Sequence, residues 1–98
     1  MNFGRAIEAL KNGDRVQRTG WNGKGMWLAL TPSSTIPATS ARSVATFALA
    51  AERAQFLEDA GDLTIGAHID MRAADGTLVI GWLASQTDML AEDWQVVE

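Results

Sequence analysis

Aromatic and polar side chains are concentrated in GWLASQTDMLAEDWQVVE, the stretch from residue 81 to residue 98. It combines two tryptophans, two hydroxyl side chains and four carboxylates with glutamine amides. Ser85 has the chemistry of a nucleophile, but it lacks the G-x-S-x-G elbow and an adjacent base. The stretch therefore indicates a binding surface more strongly than a catalytic centre.

A loop of similar character lies in TGWNGKG, residues 19–25, where three of seven residues are glycine. Trp21 offers a flat ring for stacking on a base or sugar, and its indole N–H is a donor. A tryptophan that caps the core or fills a subunit interface explains Trp21 at least as well. The glycine N–H groups could contact a phosphate beside Lys24. Without the P-loop spacing, however, a turn between two strands is the better interpretation.

The chain's one histidine is the candidate for acid–base chemistry. His68, Asp70 and Arg72 share one face of a predicted strand, and a histidine beside a carboxylate can act as a general base. A surface or hydrogen-bonded histidine is the commoner case. The spacing of His68, Asp70 and Asp75 does not match a known metal-binding pattern. We therefore expect neither a metal nor a cofactor.

Charge is unevenly distributed along the chain, whose net charge is −4. Residues 1–24 carry five basic and two acidic side chains, whereas residues 25–98 carry three basic and ten acidic ones. An acidic protein is poorly suited to duplex nucleic acid, which requires many phosphate contacts, but a small anionic ligand needs few cations. Without cysteine, a membrane-spanning run or a secretory signal, we expect a cytoplasmic protein.

Periodicity predicts the elements that would carry these groups. Asn2 is a suitable N-cap for an amphipathic helix that Gly13 ends. Strands are predicted at DRVQR, with Val16 inward, and at MWLALTP, which Pro32 stops. The stretch SSTIPATS has no period and predicts a polar loop.

The second half of the chain predicts further helices and strands. Residues 40–61 are rich in good helix formers and predict a helix. AHIDMRAADGTLVIGWL predicts a β-hairpin with a two-residue turn at Asp75-Gly76. In the second arm of this hairpin, Leu78, Ile80 and Trp82 should lie on one face of the strand and alternate with Val79 and Gly81.

The capping box at Ser85 and Asp88 predicts a short helix to about Ala91, and WQVV predicts a final strand. We therefore predict a single α+β domain over residues 1–98. It would be a small antiparallel β-sheet with an N-terminal helix, a mid-chain helical insertion and a short helix before the last strand.

Two blocks of the chain resemble the signature blocks of a family of small phage proteins. They are GWNGKGMWL at residues 20–28 and DMRAADGTLVIGWLASQTDMLAEDWQVV at residues 70–97. The family, long a domain of unknown function, is now known as the second Thoeris anti-defense family. ALKNGDRVQRTGW also fits its opening. Residues 38–64 depart from the pattern, which leaves the preferred ligand open.

The resemblance implies a sponge that holds a cyclic nucleotide immune signal intact and denies it to the effector. The implied signals are the glycocyclic ADP-ribose of Thoeris and, for some relatives, the cyclic dinucleotides of CBASS. It further implies a homotetramer with ligand sites between subunits and no enzymatic cleavage.

Such a ligand needs stacking surfaces, hydrogen-bond partners and cations, and the resemblance assigns candidates to each. The stacking surfaces are Trp21, Trp27 and Trp82, at about 1–3 kcal/mol for each stacked base. The candidate hydrogen-bond partners are Asn22, Ser85, Gln86 and Thr87. Asp75 and Asp88 could accept hydrogen bonds from ribose hydroxyls. A place in a turn explains Asp75 equally well, and a helix-capping role explains Asp88 equally well. The cations for phosphate are Arg15, Arg18 and Lys24.

Two other functions stay open from the residues. A phage protein that binds a host protein would use its tryptophans as interface anchors. A nucleotide-hydrolysing enzyme would use His68 and Asp70 as acid and base.

Overall fold

The computed structural model describes residues 1–22, 24–37 and 61–98. These fall into two compact units, one built from residues 1–31 and 68–98 and the other from residues within 32–67. The predicted helix over residues 40–61 lies outside the described residues, except for its last position. In the described part of the chain, no helix is long and apolar enough to cross a membrane.

The first unit combines two helices with five strands. The helices are α1 (Phe3–Lys11) and α2 (Gln86–Leu90). The strands are β1 (Arg15–Arg18), β2 (Trp27–Thr31), β5 (His68–Arg72), β6 (Leu78–Val79) and β7 (Trp94–Val97). They form one antiparallel sheet in the order β6-β5-β2-β1-β7. The predicted α+β class, with a small antiparallel sheet and these two helices, is confirmed.

Local chemistry explains the ends of α1. The side chain of Asn2 accepts the backbone N–H of Arg5 at 2.9 Å, as an N-cap should. Gly13 follows the helix with φ at +92°, a conformation that a side chain disfavours. Ala6, Ala9 and Leu10 form the buried face of the helix. The predicted amphipathic helix and its two boundary signals are therefore confirmed.

The core lies between α1 and one face of the sheet. Val16 pairs with Leu28 across β1 and β2, and both side chains are fully buried beside Leu10. Met71 pairs with Leu28 from β5 and packs against the same cluster. Because side chains alternate along a strand, Trp27 and Asp70 lie on the opposite face. The inward position predicted for Val16 is correct.

The prediction of a polar loop over SSTIPATS was wrong at its start. Residues Ser34–Ile36 form a strand, β3, which pairs antiparallel with a second strand, β4, at Leu63–Ile65. The hydroxyls of Thr35 and Thr64 lie 3.1 Å apart across this pair. A three-residue strand is too short to show alternation, and its partner is distant in sequence. This two-stranded ribbon belongs to the second unit.

The hairpin between β5 and β6 is also shaped differently from the prediction. Ala73 N–H donates to Thr77 O at 2.8 Å, and Gly76 N–H donates to Ala73 O at 2.9 Å. The loop is therefore a three-residue turn with Gly76 at φ +89°, rather than a two-residue turn. Asp75 lies within it and accepts the backbone N–H of Thr77 at 2.9 Å.

The second arm of this hairpin is shorter than predicted. The strand β6 ends at Val79, and Gly81 turns the backbone with φ at +84°. Ile80 is consequently 65% exposed, while Trp82 packs against the core. The predicted alternation of Leu78, Ile80 and Trp82 along one strand is wrong because the positive φ of Gly81 ends the extended backbone.

Candidate functional site

Four aromatic rings form a cluster at the edge of the core: Phe3, Trp21, Trp82 and Trp94. The indole of Trp94 is at its centre and is 2% exposed. Trp21 meets Trp94 edge to face with ring centroids 5.3 Å apart, and Trp82 does so at 6.2 Å. Trp21 and Trp82 are half-buried. Each therefore has one part fixed in the core and another part accessible.

Trp94 itself was not among the predicted site residues. Its indole N–H donates to the backbone carbonyl of Asp88 at 2.9 Å, and its backbone N–H donates to Met1 O at 3.1 Å. A buried indole with a satisfied donor is a core residue. Its part in the site is to support the two tryptophans that remain accessible.

Arg18 joins β1 to the C-terminal block through two carboxylates. Its Nε donates to Asp93 Oδ1 at 2.8 Å, and its Nη1 donates to Asp88 Oδ1 at 2.8 Å. The side chains of Arg18 and Asp88 are each 15% exposed. We call Arg18, Asp88 and Asp93 the arginine clamp. Charge-assisted bonds of this length, partly shielded from water, are stronger than exposed surface pairs.

The same two carboxylates hold the loop that carries Trp21. Asp93 Oδ2 accepts the backbone N–H of Gly20 at 2.7 Å and the hydroxyl of Thr19 at 3.2 Å. Asp88 Oδ1 accepts the indole N–H of Trp21 at 3.2 Å. The N–H of Gly20, which the sequence offered as a possible phosphate contact beside the preferred interpretation as a turn, is thus directed to a carboxylate. Gly23, another of those glycines, lies outside the described residues.

The start of α2 follows the predicted capping box. The hydroxyl of Ser85 accepts the backbone N–H of Asp88 at 3.0 Å. Gln86 and Thr87 lie in the first turn of the helix and are exposed. Asn22 and Lys24 are exposed in the loop that follows Trp21. The polar candidates on α2 and in the loop are thus accessible, while Ser85 also has a structural role.

Three predicted site residues, Arg15, Trp27 and Asp75, lie apart from this cluster. Trp27 faces the opposite side of the sheet, where the guanidinium of Arg15 lies 5.3 Å from its ring centroid. Asp75 lies in the hairpin loop, and the bond from the Thr77 backbone lowers the pKa of its carboxyl. The structure therefore brings together Trp21, Trp82 and the start of α2, but it separates Trp27 from them.

The chain is similar to known proteins along nearly its whole length. The family model of the Thoeris anti-defense 2-like domain matches residues 1–97. A relative, Thoeris anti-defense 2 of Bacillus phage SP01, is 38% identical over 97 residues, which cover 99% of this chain and 94% of the relative. The chain belongs to the Thoeris anti-defense 2-like family. The resemblance carried by the two sequence blocks is confirmed, and membership supports a phage anti-defense protein.

In this Thoeris anti-defense 2-like chain, His68 and Asp70 lie next to each other on the face of the sheet away from α1. His68 Nε2 lies 3.5 Å from Asp70 Oδ1, which also accepts the backbone N–H of Gly81 at 3.1 Å. The hydroxyl of Thr31 donates to Asp70 Oδ2 at 2.5 Å. The buried carboxylate thus ties β2 to the segment after β6. Within the described residues, no three His, Cys, Asp or Glu side chains are grouped to hold a metal ion.

The arginine clamp shifts the ionisation of its members. The bond from Arg18 is the largest cause that lowers the pKa of Asp93, and the N–H of Gly20 adds to it. Burial alone would raise the pKa of Asp88, but bonds from Arg18, Trp21 and Ser85 outweigh burial and lower it. The bonds to Asp93 and then Asp88 raise the pKa of Arg18. All three groups are therefore charged at neutral pH.

These shifts predict how stability depends on pH. In the unfolded chain an aspartate has a pKa of about 3.9, so the unfolded state binds more protons than folded Asp88 and Asp93 do. Stability therefore rises with pH in this range. The contribution should be complete above about pH 5 and lost as the pH falls through about 3.9 and past the folded pKa values. Urea denaturation at a series of pH values measures this.

The variant Asp93→Asn provides the comparison for the pH series. The substitution removes one titrating member of the clamp. The free energy of unfolding of the variant should therefore fall less steeply below about pH 5 than that of the unsubstituted protein. An acid limb as steep as that of the unsubstituted protein would contradict this prediction.

Proposed function

We propose that the protein is a sponge that binds cyclic nucleotide immune signals and sequesters them without cleavage. The glycocyclic ADP-ribose of Thoeris is the first proposed ligand, and the cyclic dinucleotides of CBASS are the second. The observation that carries the proposal is membership of the Thoeris anti-defense 2-like family over residues 1–97. The proposed place of action is the cytoplasm of the infected bacterium.

The aromatic edge of the core supports this proposal. Trp21 and Trp82 are half-buried, and Trp94 contacts both edge to face. Aromatic rings held in this way lose little conformational freedom when a purine stacks on them. Exposed amides and hydroxyls on α2 and in the loop offer partners to ribose and base. Lys24 is exposed and could reach a phosphate.

The proposed chemistry is binding rather than catalysis. Asp70 is almost fully buried and accepts bonds from Thr31 and Gly81. A carboxylate held in this way supports a structural role, so an acid–base pair of His68 and Asp70 has less to support it. We therefore propose that the protein is not an enzyme.

We further propose a homotetramer with ligand sites between subunits. A sponge must outcompete an effector, and a Kd near 10 nM corresponds to about −11 kcal/mol. One stacked base supplies about 1–3 kcal/mol, so several contacts must converge on the ligand. Large apolar side chains are exposed along residues 78–90, which is typical of an interface: Leu78, Val79, Ile80, Leu83, Met89 and Leu90.

A charge within this apolar segment should disrupt the assembly. Leu83 is 91% exposed, so Leu83→Asp should leave the fold of one chain intact and disfavour burial at an interface. Light scattering coupled to size exclusion should show a smaller particle than the unsubstituted protein. Ala74→Asp adds the same charge in the exposed hairpin loop and should leave the mass unchanged. An unchanged mass for Leu83→Asp would place the interface elsewhere.

The direct test of the sponge is a calorimetric panel followed by recovery of the ligand. The purified protein is titrated with glycocyclic ADP-ribose isomers and with cyclic dinucleotides, then heated, and the released ligand is chromatographed. Nanomolar binding with unchanged ligand is the expected result. Recovery of a linearised or hydrolysed nucleotide would overturn the proposal in favour of an enzyme. Absence of binding across the panel would favour a host protein as the partner of the exposed apolar segment.

A further inference from the structure

We infer that Arg18 is a positioning residue: through Asp88 and Asp93 it holds the loop of Gly20 and Trp21 in place and does not itself bind phosphate. Its importance for ligand affinity rests on the proposed function. Its hold on the loop does not, because that hold is a property of the chain alone.

The charges around Arg18 argue against a phosphate contact. Its Nε and Nη1 are each 2.8 Å from a carboxylate oxygen. One guanidinium and two carboxylates carry a combined charge of −1 at neutral pH. A phosphate that approached Arg18 would also approach Asp88 and Asp93, and like charges at such distances repel. Exposed Lys24 meets no such carboxylate pair among the ion pairs of the described residues.

Shared carboxylate groups connect Arg18 to the loop. Asp88 Oδ1 accepts both the guanidinium of Arg18 and the indole N–H of Trp21. Asp93 accepts Arg18 on Oδ1 and the Gly20 backbone on Oδ2. Arg18 therefore fixes the orientation of both carboxylates, and each carboxylate fixes one point of the loop. Without Arg18, the two acidic groups would repel each other and would lose the donor that orients them.

The clamp also packs closely against Gly20. A Cβ at this position would lie 2.7 Å from Asp93 Oδ2 and 3.2 Å from Arg18 Nη2. The first distance is shorter than a side chain permits, so the Asp93 carboxylate would have to move. Gly20→Ala therefore disturbs the clamp while leaving every charge in the protein unchanged.

A loop held in this way lowers the cost of binding. A ring that is already oriented loses less freedom when a planar ligand stacks on it. Loss of the clamp should thus weaken every ligand that stacks on Trp21 by the same factor, whether or not the ligand carries phosphate. Loss of a phosphate contact would instead weaken only the phosphate-bearing ligands.

The experiment compares Arg18→Lys and Gly20→Ala with the control Arg5→Lys, which alters an exposed arginine on α1. In the protein without nucleotide, the indole N–H resonance of Trp21 is identified by its absence in Trp21→Phe. Its hydrogen exchange is then measured well below the unfolding temperature. Faster exchange of this N–H in Arg18→Lys and Gly20→Ala, but not in Arg5→Lys, is expected. A merely global loss of stability would speed the exchange of the Trp94 indole N–H equally.

The second arm measures affinity for adenosine, which has no phosphate, and for ADP-ribose. Arg18→Lys and Gly20→Ala should each weaken both ligands by a similar factor of about ten, within the range for a stacked base. A loss confined to ADP-ribose in Arg18→Lys, with normal Trp21 exchange, would overturn the inference and make Arg18 a phosphate ligand. If the unsubstituted protein binds neither ligand, nor any member of the calorimetric panel, the proposed function fails. The exchange measurement then still decides whether Arg18 holds the loop.

Discussion

Replacing Trp94 with alanine should lower the free energy of unfolding by about 3–5 kcal/mol, as expected for a large buried aromatic side chain. Trp94 is 2% exposed and contacts the rings of Phe3, Trp21 and Trp82. The substitution also leaves the Asp88 carbonyl without the indole donor it now has at 2.9 Å. Since domains of this size have about 5–15 kcal/mol of stability, the loss is a large fraction of the total.

Urea denaturation followed by circular dichroism measures this loss. The free energy of unfolding of Trp94→Phe should lie between those of the unsubstituted protein and Trp94→Ala, because phenylalanine retains an aromatic ring but lacks the N–H group. Trp27→Ala is the matched control, since it removes the same side chain from the half-buried face of the sheet away from α1. A loss for Trp94→Ala no greater than that for Trp27→Ala would show that the buried aromatic cluster contributes no more to stability than the half-buried ring on the opposite face.

Elements governed by neighbouring residues were predictable from the sequence. Asn2 and Ser85 cap helices through bonds to the residue three positions later, so both helix starts are encoded locally. Pro32 ends β2 because it lacks the N–H that a further strand residue would need. These features require no knowledge of the rest of the fold.

Features that depend on distant pairs were not predictable. The strand at Ser34–Ile36 exists through its pairing with Leu63–Ile65, which three residues of alternation cannot reveal. Arg18 meets Asp88 and Asp93, 70 and 75 residues further along the chain. The sequence showed a basic segment early in the chain and an acidic one later. The bonds of Arg18 join these two segments of opposite charge. The sequence could not show which carboxylate each arginine meets.

The site was partly predictable for the same reason. Four tryptophans were visible in the sequence, but their burial depends on tertiary packing, so Trp94 was missed as the support of the others. The position of Trp27 could have been inferred locally. If Leu28 and Leu30 face the core, alternation along β2 places Trp27 on the other side of the sheet. That separation makes Trp27 a natural control for Trp21.

Trp21→Ala should weaken binding of glycocyclic ADP-ribose by about 5- to 150-fold, which corresponds to about 1–3 kcal/mol for a stacked base. Stability should change less than for Trp94→Ala, because the ring of Trp21 is half-buried. Trp27→Ala removes an equal aromatic surface from the opposite face and should leave the affinity unchanged. Isothermal titration calorimetry of both variants makes the comparison. If Trp27→Ala lost the affinity and Trp21→Ala retained it, the ligand would lie on the open face of the sheet beside Arg15, and Trp21 would be only an edge of the core.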